Sequence, residues 1–387
     1  MDAESSRGIT RFFHELDDPR VAGRCDHRLI DIVMIALVAT LGDTDDWQEV
    51  ELFGQLHESW FRKFLELPNG IPSHDTFARV FARLCPMQMN RCFEQWMSHL
   101  CQTVTGHAKT IAIDGKTLRS SAVAKGTPGD RKPLHMVSAW AHETKLVLGQ
   151  LSCDEKSNEI TAIPKLIEMM ELAGCMVTID AMGCQKEIAR KLHEKQADYA
   201  LALKANHDHL HTQAVLLMDE ADDTSSGMNT ATHRTQGRTR GRDEVRTYTT
   251  VKLNAKTSHR ITPEVVDAWP GLKTIGQVVG TRTVKGTTTT QTRYYLLSDD
   301  DVKRFAQAVR GHWGIENSAH WVLDVVFGED ANRTSKDHGP ENLAILRRLA
   351  MNLFRANRKD NKIALKRQRK LVGWKIEFIE ELLNGVF

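Results

Sequence analysis

The sequence predicts an α/β protein: a mixed β-sheet core layered with helices, preceded by a helical N-terminal domain and carrying a β-rich insertion. Three observations predict it. Residues 1–105 hold apolar side chains at helical spacing. From Lys109 onward, short apolar runs alternate with helix-like segments in the order three strands, helix, strand, helix, strand. Between 207 and 298 the texture changes to Thr-, Val- and Tyr-rich runs broken by Gly. A chain of 387 residues has room for two or three domains. The changes of texture divide it at 1–105, 106–206, 207–298 and 299–387.

Taken in order, Leu29, Ile32, Val33, Ala36 and Leu37 recur at helical spacing, as do Phe77, Val80, Phe81 and Leu84. Pro72-Ser73 offers an N-cap serine for the second of these helices, with Asp75 in its first turn, where the helix dipole favours an anion. The pair reads as a helix-turn-helix-like unit with Arg79 and Arg83 outward, able to dock on DNA or to be an ordinary helical hairpin. Thr110-Ile111-Ala112-Ile113 is a strand ending at Asp114. Leu134–Trp140 and Leu146–Leu151 are further strands. A helix follows over Ala162–Leu172, with Pro164 expected in its first turn. Met176-Val177-Thr178-Ile179 is a buried strand ending at Asp180. A helix over Gln185–Lys195 and a strand over Tyr199–Leu203 complete this core.

In the insertion an acidic knot (Asp219, Glu220, Asp222, Asp223) leads into an Arg-rich stretch from Arg234 to Arg242. Strands are expected at Val245–Leu253, Thr274–Thr283 and Thr288–Leu297. Helices then return over Asp299–Arg310, Ile315–Phe327 and Pro340–Arg358.

Composition limits the function classes. The net charge is only +2, from 52 Lys+Arg against 50 Asp+Glu, so partners must be read from local charge. Seven cysteines contain no C-x-x-C pair, which argues against a zinc ribbon or redox motif. The N-terminus has no signal-peptide pattern. The longest apolar run, Ile32 to Leu41, falls short of the roughly 20 residues a membrane span needs. A cytoplasmic protein with no membrane partner is expected.

Two aspartates at the ends of apolar strands carry the chemistry. Adjacent strands would bring Asp114 and Asp180 close together, and like charges so close repel unless a cation lies between them. Mg²⁺, or Mn²⁺, suits such hard oxygen ligands. Two ions about 3.5–4 Å apart can activate a water and stabilise a leaving phosphodiester oxygen. Either aspartate alone could equally be a turn residue. A third carboxylate is expected on a helix under the sheet, and His312-Trp313-Gly314-Ile315-Glu316 is the best segment. Glu316 and His320 are i, i+4 and share a helix face. Asp324, Glu329 and Asp330 follow closely, and chemistry alone does not choose among these acids. Trp313 and Trp321 read as core. His312 and His320 lie too far apart on one helix to share a zinc ion. Basic groups bracket the acids: Lys116, Arg119, Lys204, Arg234, Arg238, Arg240, Arg242 and Arg246, and nine Lys/Arg from Arg355 to Lys375. Cations so placed suit a polyanion. There is no phosphate-binding P-loop and no nucleophile elbow.

Long motifs then carry a resemblance. Ile113-Asp114-Gly115-Lys116-Thr117-Leu118-Arg119-Ser120, Lys156-Ser157-Asn158-Glu159-Ile160, Val177-Thr178-Ile179-Asp180-Ala181-Met182-Gly183-Cys184-Gln185 and His312-Trp313-Gly314-Ile315-Glu316-Asn317 resemble bacterial insertion-sequence transposases. The specific subgroup they resemble is the H-repeat-associated proteins found with Rhs elements. Gly70 to Phe77 is similar to that group's helical N-terminal domain. The resemblance implies an RNase H-like core with a D-D-E triad, placed on Asp114, Asp180 and Glu316. It also implies a β-rich insertion in the 136 positions from Asp180 to Glu316. The wider superfamily's Y-x₂-R-x₃-E-x₆-K falls here on Val309, His312, Glu316 and Leu323, so its phosphate-gripping Arg and Lys are absent. His207 and Ala319 are smaller departures.

The expectation is a bacterial DNA transposase. It would use two Mg²⁺ or Mn²⁺ ions on Asp114, Asp180 and Glu316 to cut element ends and join them to target DNA. DNA contacts are expected from Lys116, Arg119, Lys204, Asn206, Arg238, Arg240, His312 and His320. A homodimer on paired terminal repeats is expected by analogy of mechanism. The alternatives are an inactive DNA-binding relic and a stand-alone metal-dependent endonuclease.

Overall fold

The computed structural model describes residues 8–103, 109–123, 132–153, 159–239, 241–357 and 363–384. Arg240, the motif Lys156-Ser157-Asn158 and part of the C-terminal basic stretch (358–362) lie outside the described residues.

The N-terminal segment is helical: α1 (Thr10–Phe13), α2 (Leu29–Leu41), α3 (Trp47–Leu56), α4 (Glu58–Phe61), α5 (His74–Arg83) and α6 (Pro86–Thr103). The core then runs β1 (Thr110–Leu118), β2 (Leu134–Ala141), β3 (Val147–Cys153), α7 (Glu159–Met169), β4 (Met176–Ile179), α8 (Lys186–Glu194) and β5 (Asp198–Leu203). Next come α9 (Asp208–Ala221), β6 (Thr230–Thr239), β7 (Arg242–Lys252), α10 (Pro263–Asp267), β8 (Thr274–Val284) and β9 (Thr287–Leu297). The chain returns through α11 (Val302–Gly314), a π-helical turn (Ile315–His320), α12 (Trp321–Val325), α13 (Gly339–Ala356), α14 (Leu365–Trp374) and α15 (Ile376–Asn384).

All nine strands form one sheet, in the order β3-β2-β1-β4-β5-β9-β8-β7-β6. β1, β4 and β5 are parallel, and β2 and β3 run antiparallel beside β1. This is the RNase H-like arrangement that the motifs imply. β6–β9 do not form a separate sheet, because β9 pairs with β5 and prolongs the core.

The apolar run of β1 is continuous because both faces of the strand are covered. Ile111 and Ile113 enter a core with Ile163 and Leu166 of α7 and Ile188 of α8. Ala112 faces the other way, into a core shared by the N-terminal helices and by α13 and α15. α2 is apolar on every side and is buried on every side, from Ile32 to Leu41.

Several local expectations are corrected. Ser73 sits at the N-cap of α5, but its side chain makes no capping bond; Glu51 of α3 accepts the His74 N–H at 2.8 Å instead. Pro164 lies inside α7, not in its first turn, because the helix begins three residues earlier, at Glu159. The acidic knot falls at the C-terminal end of an unexpected helix, α9, and the Arg-rich stretch holds the strand β6. Trp313 and Trp321 are 45% and 55% exposed, so they are surface residues rather than core.

The deepest charges tie β1 to the C-terminal helices. Arg348 of α13 donates to Glu329 Oε1 at 2.7 Å, and both side chains are fully buried. Lys116 Nζ reaches the other Glu329 oxygen at 3.2 Å. Burial opposes ionisation of Glu329, but the charges of Arg348 and Lys116 outweigh it and hold the carboxyl at about 2. The bridge is therefore fully formed at neutral pH and is lost only as pH falls through that value. Arg348→Met would strand Glu329 as a buried, half-paired anion. It should cost about 3–5 kcal/mol in urea denaturation, and Arg348→Met with Glu329→Gln should recover much of that loss. A single variant within about 1 kcal/mol of wild type would show the bridge to be unimportant.

Candidate active site

The parallel pairing of β1 with β4 ends at Ile113↔Ile179. The next residue on each strand is an aspartate, Asp114 and Asp180, so the two stand side by side on one face. Only β4 stops there. β1 continues to Leu118 against β2, because that pairing runs on to Leu118↔Leu134. Asp114 is therefore inside its strand, at the point where one neighbour is lost.

Asp180 is held by its own loop. Its Oδ1 accepts the Met182 and Gly183 N–H groups at 3.0 and 3.3 Å. A Cβ on Gly183 would lie 2.2 Å from Ile179 Cγ2, so glycine is required in this turn. Asn206 Nδ2 donates to Ala181 O at 2.8 Å, and His207 Nε2 lies 2.6 Å from Cys184 O, bracing the loop from β5's side.

The third element comes from above the same face. α11 crosses close over the sheet at Gly311 and Gly314, where a Cβ would meet His142 at 3.1 Å. The helix then widens into the π turn, with the Trp321 N–H bonded to Glu316 O, five residues back. Such turns are frequent at functional sites. This one sets Glu316 and His320 over Asp114. His320 Nδ1 is 3.9 Å from Asp114 Oδ2 and 3.6 Å from Glu316 Oε2. One ligand atom from each of Asp114, Glu316 and His320 falls within 4.8 Å of the other two.

The electrostatics favour a cation. Burial first, then the negative charges of Glu316, Asp180 and Glu159, push Asp114 up to about 8. Glu316 is held below the usual carboxylate range by its contact with His320. His320 is 5% exposed, and its Nε2 is buried with no partner among the described residues. Two carboxylates and an imidazole, with Asp180 alongside, fit a divalent ion, and the nitrogen suits Mn²⁺ as well as Mg²⁺.

Two further residues back the site. His135 Nε2 lies 2.6 Å from Glu159 Oε1, and both side chains are buried. His135 Nδ1 lies 2.8 Å from Thr117 Oγ1. A Cβ on Gly115 would sit 2.3 Å from both His135 and Glu159, so glycine after Asp114 lets this pair close behind it. In the sequence neither Glu159 nor His135 stands out as a site residue. The one signal was an acid directly after Lys156-Ser157-Asn158.

The expected DNA contacts divide. Arg119, Lys204 and Arg238 are exposed, while Asn206 spends its amide on the Asp180 loop. Three of the expected contacts have their side chains engaged inside the protein. Lys116 is 7% exposed, and its Nζ lies 2.6 Å from Asp324 and 3.2 Å from both Glu329 and Asp330. His312 packs against Thr178 Oγ1 at 3.0 Å, and burial lowers its pKa, which keeps the imidazole neutral. His320 belongs to the acid cluster. The same contacts separate the rival acids: Asp324 is engaged by Lys116, and Glu316 is the one that reaches Asp114.

Comparison with known proteins agrees with this geometry. The family described as "Transposase DDE domain" matches residues 105–353, and the one described as "DDE_Tnp_1-associated" matches 10–97. YncI of Escherichia coli O157:H7, which carries the name of a transposase, is 38% identical over 98% of this chain and 95% of its own. The H repeat-associated YhhI of Escherichia coli strain K12, also named as a transposase, is 32% identical over 96% of both chains. The "Inactive transposase YbfQ" of the same strain is 35% identical over 17% of this chain and 79% of its own.

A carboxyl raised as Asp114 is favours the fold only while protonated. Its contribution is complete below the ordinary aspartate value and is lost as pH rises through about 8. In EDTA, Asp114→Asn should therefore gain Tm over wild type progressively from about pH 4 to pH 8 and then level off. A Tm difference independent of pH would contradict the crowding of charge around Asp114.

Proposed function

The chain belongs to the transposase DDE-domain family, and on that footing we propose that it cuts DNA at element ends and joins them to target DNA. The observation that carries this reading is the convergence of Asp114, Glu316 and His320 within 4.8 Å, with Asp180 at the neighbouring strand position. Asp114, Asp180 and Glu316 would hold two Mg²⁺ or Mn²⁺ ions. When bound, such ions activate water, stabilise the leaving oxygen and orient the phosphodiester.

The protein's own residues supply the rest. The Asp180 loop, pinned by Met182, Gly183 and Asn206, fixes one carboxylate without a rotamer search. His320 keeps Glu316 ionised and turned inward. The His135–Glu159 pair adds negative charge behind Asp114 and raises the site's demand for a cation. Water and a freed 3′-OH act in turn as nucleophiles at this one site, so no covalent protein intermediate is needed. Arg119, Lys204 and Arg238 remain as exposed cations for the phosphate backbone. Bringing two element ends together calls for a pair of copies, so a homodimer on DNA is part of the proposal. That the chain retains all three acids supports an active enzyme over an inactive relic.

The test uses the chain with Mg²⁺ or Mn²⁺ and DNA carrying its flanking repeats. Because such ions supply several kcal/mol of charge stabilisation, Asp114→Asn, Asp180→Asn and Glu316→Gln should each lose at least about 10³-fold in nicking rate. Joined products should form with wild type only. Equal nicking by the variants would end the assignment, and nicking without joining would leave an endonuclease.

A further inference from the structure

A second feature of the same sheet face is a groove of about 630 Å³ beside the π turn. Its floor is β7, β8 and β9, and its wall is α11 with the start of the π turn. It begins next to the acid cluster. Ile179 pairs with Leu201, and the following residue, Ala202, pairs with Tyr295 of β9. Tyr295 therefore stands two strands from Asp180, about 10 Å away at ordinary strand spacing. Asn317, next to Glu316, lines the groove's near edge.

Four arginines line this groove: Arg246, Arg282 and Arg293 from the floor and Arg310 from the wall. Glu244 is the one acid among its lining residues, and it pairs with Arg246 at 2.6 Å. Among the described residues no carboxylate pairs with Arg282, Arg293 or Arg310. Trp313 stands 45% exposed on the wall, with the Arg293 guanidinium 5.0 Å from its ring centre. In the floor, the Tyr248 hydroxyl is buried and has no partner among the described residues. Gly280, opposite Arg246, opens the middle of the floor; a Cβ there would meet nothing closer than 3.8 Å.

We propose that this groove holds an unpaired DNA strand leading away from the reacting phosphodiester, with a base stacked on the Arg293–Trp313 pair and phosphates on Arg246, Arg282 and Arg310. An exposed indole beside several guanidiniums is what a single strand needs, because base stacking gives sequence-tolerant affinity and cations track the backbone. A duplex keeps its bases stacked on one another and cannot use the indole. This assignment rests on the DNA reading above for the nature of the polymer. It adds a contact surface that the missing Arg and Lys near Glu316 leave unfilled.

The test is fluorescence anisotropy of a fluorescein-labelled oligothymidylate with the full chain in EDTA, where no cleavage occurs. Trp313→Ala should weaken single-strand binding about 5- to 150-fold, Trp313→Phe should restore most of it, and duplex binding should change little. Arg282→Ser with Arg310→Ser, both exposed and safe for folding, should lower the salt slope by about 1.4. Unchanged binding by both sets overturns the proposal, as does an equal loss on duplex and single strand. If Asp114→Asn abolishes nicking while the groove variants bind normally, the groove assignment fails alone. If the groove variants lose binding while the triad variants nick normally, the catalytic reading fails alone.

Discussion

The constraint on which the rest of the site depends is the crowding of negative charge where β4 ends. Asp114 cannot leave this place, because it lies inside a strand paired with β2 on one side. Asp180 cannot turn away, because two backbone N–H groups hold its Oδ1. Glu316 is brought over both by a helix that stays close to the sheet only because Gly311 and Gly314 lack side chains. Protein cations are kept out of the cluster. Lys116, two residues from Asp114 on the same face, is engaged instead by Asp324, Glu329 and Asp330. Leaving the acids without a protein partner costs stability that a bound divalent ion can restore.

The two clusters around β1 are complementary. Side chains two apart on a strand share a face, so Asp114 and Lys116 lie on one side of β1 and differ in the neighbours they meet. Near the strand's end the chain serves a metal-type cluster at Asp114 and a neutralised structural cluster at Lys116. In the second, three carboxylates meet Lys116, Arg348 through Glu329 and Arg119 through Asp330, so charge is balanced and the α12–α13 connection is fixed. In the first, four carboxylates including Glu159 meet only histidines. The difference in cation supply separates a site built to bind from one built to hold the fold.

Much of this was legible in the sequence where burial is total. Apolar runs such as Ile111–Ile113 and Met176–Ile179 announce central strands; the acid after the second marks its strand end, while β1 runs on past Asp114 to Leu118. Glu316 and His320, four apart, were correctly read as facing together. What was not legible depended on packing at a distance. Lys116 follows the first acid like a DNA contact, but its fate is decided by acids more than 200 positions away. Trp313 and Trp321 read as core because large aromatics usually are, yet α11 presents them outward. The strand β6 was hidden because Arg, Thr and Gly dominate a strand that is largely exposed. Pro164 suggested a later helix start than Glu159, whose place is set by its buried bond to His135.

The π turn links these points physically. In a regular α-helix, residues three and four apart share a face, and the stripe rotates slowly along the axis. One π turn inserts extra backbone and shifts the stripe that follows. Before the turn, α11 packs Phe305, Ala308 and Val309 on the floor shared with Tyr248 and Tyr295. After it, Ala319 and Leu323 pack into the helical core on the same sheet face, with Ala112 and Trp140. Between the two packings, Glu316 and His320 point down to Asp114 while Trp313 and Asn317 are left at the groove. A single irregular turn thus lets one segment serve an acid cluster and an arginine-lined groove on the same sheet face. Straightening it would break the register of both.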